Sequence, residues 1–214
     1  MNGGHRGWAR LVSCCGASLA MAGCIGTSRP SRFYTLAPLQ PQETKILDGD
    51  NAPLAIGPVE IADYLDRQEI VTRTGRNELV IAELARWGGS LEHQITGALV
   101  ATIADRLAPR KIIVSPWKPS AITPAAAPHA LRAAITISRF DGVLGASVVL
   151  QGRWELCVQT GASERSVLLK EATLSEKVDG ADYESLVAAM QRALGRFGEA
   201  VADSLAAAEL ARAP

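Results

Sequence analysis

Two stretches near the middle of the chain alternate their side chains with a period of two, and this restricts the fold more than any other feature. Leu131, Ala133, Ile135 and Ile137 alternate with Arg132, Ala134, Thr136 and Ser138. Further on, Val148, Leu150, Gly152, Trp154, Leu156 and Val158 oppose Val149, Gln151, Arg153, Glu155, Cys157 and Gln159. Successive side chains of an extended chain point to opposite faces, so each run carries one apolar face that must be buried. Only the glycine-rich "FDGVLGAS" separates the two, which predicts a hairpin between neighbouring antiparallel strands. A third run, about Val167 to Glu176, follows a turn at Thr160 to Glu164 and extends the pair into a meander.

The apolar face of that meander needs a cover, and the C-terminal segment supplies one. Asp182 is suited to cap a helix in which Tyr183, Leu186, Val187, Met190, Leu194, Phe197, Val201 and Leu205 recur at helical spacing. Arg192, Arg196, Glu199 and Asp203 occupy its other face. Gly195 and Gly198 inside it each cost about 1 kcal/mol relative to alanine, so packing on the sheet must hold this helix, and its stripe reads as core. A second helix is expected from the Ser90 cap onward, with Leu91, Ile95, Ala98, Leu99, Thr102, Ile103 and Leu107 in step until Pro109 stops it.

Shorter strands are expected at "RFYTL", in "PLAIGPVEIADYL" up to Ile61, on both sides of the Thr-Gly-Arg-Asn turn in "EIVTRTGRNELVIAE", and in "KIIVSPW", read as a short buried strand. Ser115 to Pro128, rich in proline and alanine, reads as a loop. The chain of 214 residues is long enough for one domain with its own core. Together these elements predict an α+β fold (an α/β sandwich): a single compact domain whose mixed or mostly antiparallel sheet has two main helices packed on it.

The N-terminus has a different character. Arg6 and Arg10 precede an apolar stretch, Leu11 to Ala22, and no acidic residue occurs there. Such a stretch reaches about 18 Å as a helix, short of the roughly 30 Å hydrocarbon core of a bilayer. It is therefore read as a cleavable signal and not a permanent span; the Cys14-Cys15 pair and the glycine-rich flank argue against a buried N-terminal helix. Met21-Ala22-Gly23-Cys24 resembles the lipobox of bacterial lipoproteins, with Met where Leu, Val or Ile is commoner. The resemblance implies that Cys24 becomes the first residue of the mature chain and carries a thioether-linked diacylglycerol and an N-acyl chain. Each buried methylene contributes about 0.8 kcal/mol, so two or three chains make a lasting anchor. Ile25, and not an aspartate, follows the cysteine, which favours the outer membrane on its periplasmic face. The resulting organisation is a lipoprotein signal peptide at 1–23, a lipidated N-terminus, linker and first short strand at 24–53, and the domain at 54–214. If Ile25 to Arg32 is extended, it spans at most about 28 Å.

Lysine plus arginine balances aspartate plus glutamate at 22 each, and aromatic residues are only 5% of the chain, so a nucleic-acid partner is not expected. After processing and lipidation Cys157 stands alone; it is read as a small buried hydrophobe in a strand. No GxSxG, HExxH, Walker loop or GxGxxG occurs. His93 and His129 lack ligand spacing, and Asp63 and Asp66 around the Tyr-Leu pair read as solvated loop acids. No catalytic residue, no metal site and no cofactor beyond the lipid on Cys24 is expected, and the chain is read as not an enzyme.

At "ADYLDRQEIVTRTGRNELVIAELARWGGSL", residues 62–91, the chain resembles the PqiC/YmbA-type family of ABC-transport auxiliary lipoproteins. The shared pattern comprises Tyr64-Leu65-Asp66-Arg67, Ile70 and Val71, Arg73, and Arg86-Trp87 before the helix. It extends to Tyr34-Thr35-Leu36 upstream and to Arg139-Phe140-Asp141 and Gly152-Arg153-Trp154 downstream. Asp63 stands where members often have proline, and Gly88-Gly89 where a charged residue often follows the tryptophan. The resemblance implies a non-enzymatic docking subunit at the outer membrane for an ABC permease and an MCE-type periplasm-spanning protein that move lipid between membranes. A lipoprotein that itself shelters acyl chains between helix and sheet is the alternative, and a homo-oligomer, ring or dimer, would suit a conduit component. Tyr64, Leu65, Arg67 and Trp87 are the candidate partner contacts, because arginine beside aromatic residues is the composition of interaction hot spots. The competing reading makes Trp87 a core plug at the helix entrance and pairs Arg67 with an internal acid.

Overall fold

The structure, a computed structural model, describes residues 29–36, 54–107, 112–114, 131–160 and 163–212. The segment read as a signal, Cys24 and the stretch 115–128 read as a loop lie outside the described residues. The elements run β1 (Arg32–Tyr34), β2 (Leu54–Ile61), a 3-10 turn (Asp63–Leu65), β3 (Glu69–Arg73), β4 (Leu79–Trp87), α1 (Leu91–Arg106), β5 (Ile112–Val114), β6 (Leu131–Gly142), β7 (Ser147–Thr160), β8 (Ser163–Lys177) and α2 (Tyr183–Leu210). All of these fall within one compact unit, Ser31–Pro214.

The meander is present as the alternation requires. β6 and β7 pair antiparallel from Leu131↔Val158 to Gly142↔Val148, and β7 and β8 from Ser147↔Lys177 to Thr160↔Ser163. The reversal between β6 and β7 places Gly145 at φ 73°, a conformation that costs glycine nothing. The opposite side of β6 is shared: β2 runs parallel to its first half, from Leu54↔Leu131 to Ile61↔Ile137, and β3 meets its end at Thr72↔Gly142. β2 carries β5 in parallel, while β3 carries β4 antiparallel and β4 carries β1 in parallel. The result is one eight-stranded mixed sheet that divides into two arms beyond β6.

The core lies between the helices and the sheet. Leu131, Ala133, Ile135, Ile137 and Phe140 of β6 and Val148, Leu150, Trp154 and Leu156 of β7 are buried with Ile95, Leu99 and Ile103 of α1 and Leu186, Met190, Leu194, Phe197, Val201 and Leu205 of α2. Phe197 meets the Trp154 ring edge-on, with centroids 5.3 Å apart at 88°. Gly152 makes room for it: a Cβ there would lie 2.9 Å from Phe197 Cζ. The two helical glycines differ. A Cβ at Gly198 would lie 3.0 Å from Thr102 Cβ of α1, so this glycine lets the helices approach, whereas nothing lies within 4 Å of a Cβ at Gly195.

Both caps form as the sequence indicates. Ser90 Oγ accepts from the His93 N–H at 3.4 Å, and Asp182 Oδ1 accepts from the Ser185 N–H at 2.8 Å, which holds the Asp182 carboxyl below its ordinary range. One expectation needs correction: "KIIVSPW" is not a buried strand. Its described part, β5, pairs only with β2 at the sheet edge, leaving Ile112 and Ile113 half-buried and Val114 exposed. At the opposite edge the long β8 pairs only with β7 and carries Arg165, Lys170 and Glu171 on its exposed positions, a charged edge that discourages further strand addition.

Candidate functional site

The Tyr-Leu-Asp-Arg motif follows directly from β2. The Ala62 N–H donates to Ile137 O at 2.9 Å and the Leu65 N–H to Ala62 O at 2.8 Å, which closes the 3-10 turn. Leu65 turns inward and is buried. Tyr64 is engaged from below: its hydroxyl donates to Asp141 Oδ2 at 2.7 Å and accepts from the Phe140 N–H at 3.3 Å. Burial, and then the carboxylate it serves, push the Tyr64 hydroxyl up to about 12.

Asp141, wholly buried at the end of β6, is the centre of this network. Its Oδ1 accepts from Arg73 Nε at 2.7 Å and from Arg139 Nε at 3.1 Å. The Arg73 guanidinium also lies 5.9 Å from the Tyr64 ring centroid, and its bond to Asp141 raises its pKa. The internal acid therefore pairs with Arg73 and Arg139, while Arg67 is exposed. In the sequence this network shows only as two charges, Arg139 and Asp141, at an otherwise apolar strand end, with nothing to mark their distant partners.

Arg67 instead opens onto a cleft of about 520 Å³ lined by Phe33, Asp66, Arg67, Gln68 and the Trp87 to Leu91 segment. Trp87, only 4% exposed, forms its floor and belongs to the core. The Trp87 N–H donates to Gln68 O at 2.7 Å and the Gly88 N–H to Tyr34 O at 2.8 Å, so three segments distant in sequence are fixed around one opening. Of the four candidate contacts, Leu65 and Trp87 are buried, Tyr64 is half-buried within the Asp141 network, and Arg67 alone is freely presented.

Two glutamines tie Leu36, two residues past β1, to both helices. Gln94 Oε1 of α1 accepts from the Leu36 N–H at 2.9 Å, and Gln191 Nε2 of α2 donates to Leu36 O at 2.8 Å. The N-terminal strand of the described residues is thus built into the fold. One further group escaped the sequence reading. Glu92, in the first turn of α1, is buried, and this desolvation, reinforced by Asp66 and Glu60, lifts its carboxyl to about 7.

Among the described residues, no group of three or more His, Cys, Asp or Glu side chains is arranged to hold a metal ion, and no helix is long and apolar enough to cross a membrane. Cys157 is a buried free thiol, as expected of a lone cysteine, although the alternation sets it opposite the core-facing residues of β7; the pairing with β8 shifts register between Leu156 and Cys157. The cleft offers a guanidinium, a carboxylate and an amide beside the buried Trp87 on a fixed frame.

Comparison with known proteins agrees with the sequence resemblance. A family model described as the ABC-type transport auxiliary lipoprotein component matches residues 34–202. The fold is similar to the crystal structure of an uncharacterized protein, 20% identical, covering 83% of this chain and 99% of that one with a TM-score of 0.62. It is also similar to that of a protein from Xanthomonas campestris, 17% identical, covering 85% and 99% with a TM-score of 0.58. At such identities the likeness concerns the fold alone. No curated protein matches the chain.

Proposed function

The chain belongs to the ABC-type transport auxiliary lipoprotein components, and from that premise we propose that it is anchored through Cys24 in the outer membrane, facing the periplasm, as a non-enzymatic docking subunit of an MCE-type lipid transport system. The observation that carries this reading is the cleft beside β1. Exposed Arg67, Asp66 and Gln68 stand over a buried tryptophan on a frame closed by backbone hydrogen bonds, close to the strand that emerges from the anchor. Arg67 supplies a planar, permanently charged donor for a carboxylate or backbone carbonyl of the periplasm-spanning partner.

The alternative, acyl chains sheltered between helix and sheet, has less support, because Ile95, Leu99, Ile103, Phe197 and Leu205 fill that interface and the cleft lies outside it. Co-purification tests the docking reading. Arg67→Ala should abolish recovery of the MCE-type partner while leaving the melting temperature within about 1 °C, as expected for an exposed side chain. Undiminished recovery of the partner would refute a docking role for this cleft.

A further inference from the structure

The outer face of β4 is unusual for a solvated strand. Leu79, Ile81 and Leu84 are exposed on it, Ile81 by 49%, and Phe33 of β1, opposite Arg86 in the register, is 67% exposed. Glu83 and Leu84 both face outward between buried Ala82 and Ala85, where the pairing with β3 shifts register. This bulge keeps Leu84 on the same side as Phe33 and Ile81 and makes one apolar stripe of the four side chains. The other exposed large apolar side chains among the described residues are scattered over different elements: Val114 on β5, Val143 just after β6, Leu169 on β8 and Leu210 at the end of α2.

Four side chains, each 37–67% exposed, cover well under the about 800 Å² that each partner of a stable interface between copies buries. Its position suggests another occupant. Phe33 lies nine residues after Cys24, so the chain between them reaches at most about 32 Å. β1 is the edge strand of its arm and is held by β4 and, through Leu36, by Gln94 and Gln191. An anchor at residue 24 therefore limits this edge of the sheet to within about 32 Å of the lipid headgroups, a shorter tether than any other described edge has. We propose that Phe33 with Leu79, Ile81 and Leu84 forms the surface on which the domain rests against the phospholipid bilayer, the side chains entering the boundary between headgroups and acyl chains. The inference rests on the reading that Cys24 carries lipid. Around the stripe Arg32, Arg76 and Arg86 are matched by Glu69, Glu78 and Glu83, so the contact is apolar in character and does not depend on anionic lipid.

The test uses the lipidated chain in phosphatidylethanolamine vesicles, with or without phosphatidylglycerol. Ile81→Cys, Leu84→Cys and, as control, Leu169→Cys are labelled with a fluorophore; Cys157 is buried and Cys24 is blocked by its lipid. Brominated lipids should quench positions 81 and 84 at least twofold more than position 169 in both vesicle types. Because substitutions could disturb β4, the unsubstituted chain is also footprinted with hydroxyl radicals. Phe33 and Leu79 should be oxidised at least threefold more slowly on vesicles than in the mature chain with Cys24→Ser free in buffer, with Leu169 unchanged. Equal quenching at all three positions and equal oxidation, in a chain that still floats with vesicles and bears lipid on its N-terminal peptide, would overturn the resting surface and leave the anchor standing. A chain that neither floats nor carries lipid would overturn both.

Discussion

Replacing Asp141 by asparagine keeps the shape of the buried group, removes its charge and turns one of its two acceptor oxygens into an NH2 donor. In the native network Oδ1 receives Arg73 Nε at 2.7 Å and Arg139 Nε at 3.1 Å, and Oδ2 receives the Tyr64 hydroxyl at 2.7 Å. A hydrogen bond to a charged group contributes about 1.5–3 kcal/mol against about 1 kcal/mol for a neutral pair, so weakening the two arginine bonds to Oδ1 and losing the tyrosine bond to Oδ2 together remove about 3 kcal/mol. Solvent access decides how much is recovered. The Arg139 side chain is 31% exposed and can rehydrate, but Arg73, at 15%, is left as a poorly solvated charge without its counter-ion. Urea denaturation of Asp141→Asn should show a loss of about 3 kcal/mol at unchanged m, and a melting temperature lower by roughly 6–12 °C for a domain of this size. In a double-mutant cycle with Arg73→Met the coupling should be about 1–2 kcal/mol. A loss below about 1 kcal/mol, or additive effects, would show that the network does not hold the Tyr-Leu turn against β6.

The two helical glycines should respond oppositely: Gly195→Ala stabilises by about 0.5–1 kcal/mol through helix propensity, whereas Gly198→Ala destabilises by about 1–3 kcal/mol because the new methyl meets Thr102; urea titrations of both variants check this. Trp87→Ala, which empties the floor of the cleft, should cost about 3–5 kcal/mol in the same assay, unlike Arg67→Ala. Glu92 gives a pH signature. Its folded carboxyl titrates near 7, above the ordinary 4.5, so the folded state binds the extra proton and stability falls as pH rises between those values. Glu92→Gln should therefore be more stable than the native chain at pH 8, by about 2 kcal/mol after allowance for screening of the exposed Asp66 and Glu60. That advantage should vanish towards pH 4, and denaturation curves at the two pH values decide it.

Features governed by local periodicity were legible in the sequence. The β6–β7–β8 meander and both capped helices each follow from a repeat of two or about four residues, which reports the buried face without knowledge of the partner. Arrangements set by distant residues were not. Asp141 lies 77 residues from Tyr64 and 68 from Arg73, and nothing near "RFDG" reveals that both converge on it. The parallel pairings of β2 with β6 and of β1 with β4 lack a tight turn that would announce them. Gly195 and Gly198 look alike in the chain and are separated only by where α1 crosses α2. In the candidate site, the exposure of Arg67 matched its polar surroundings, but Tyr64 turned inward because Asp141 offered an acceptor that no local pattern disclosed.

The account depends most on what residue 24 carries. Mass spectrometry of the N-terminal peptide, taken from membranes of cells making the full chain, measures this directly. The peptide should begin at Cys24 and bear a diacylglyceryl thioether and an amide-linked acyl chain. A peptide that retains residues 1–23, or begins at an unmodified cysteine, would contradict the account.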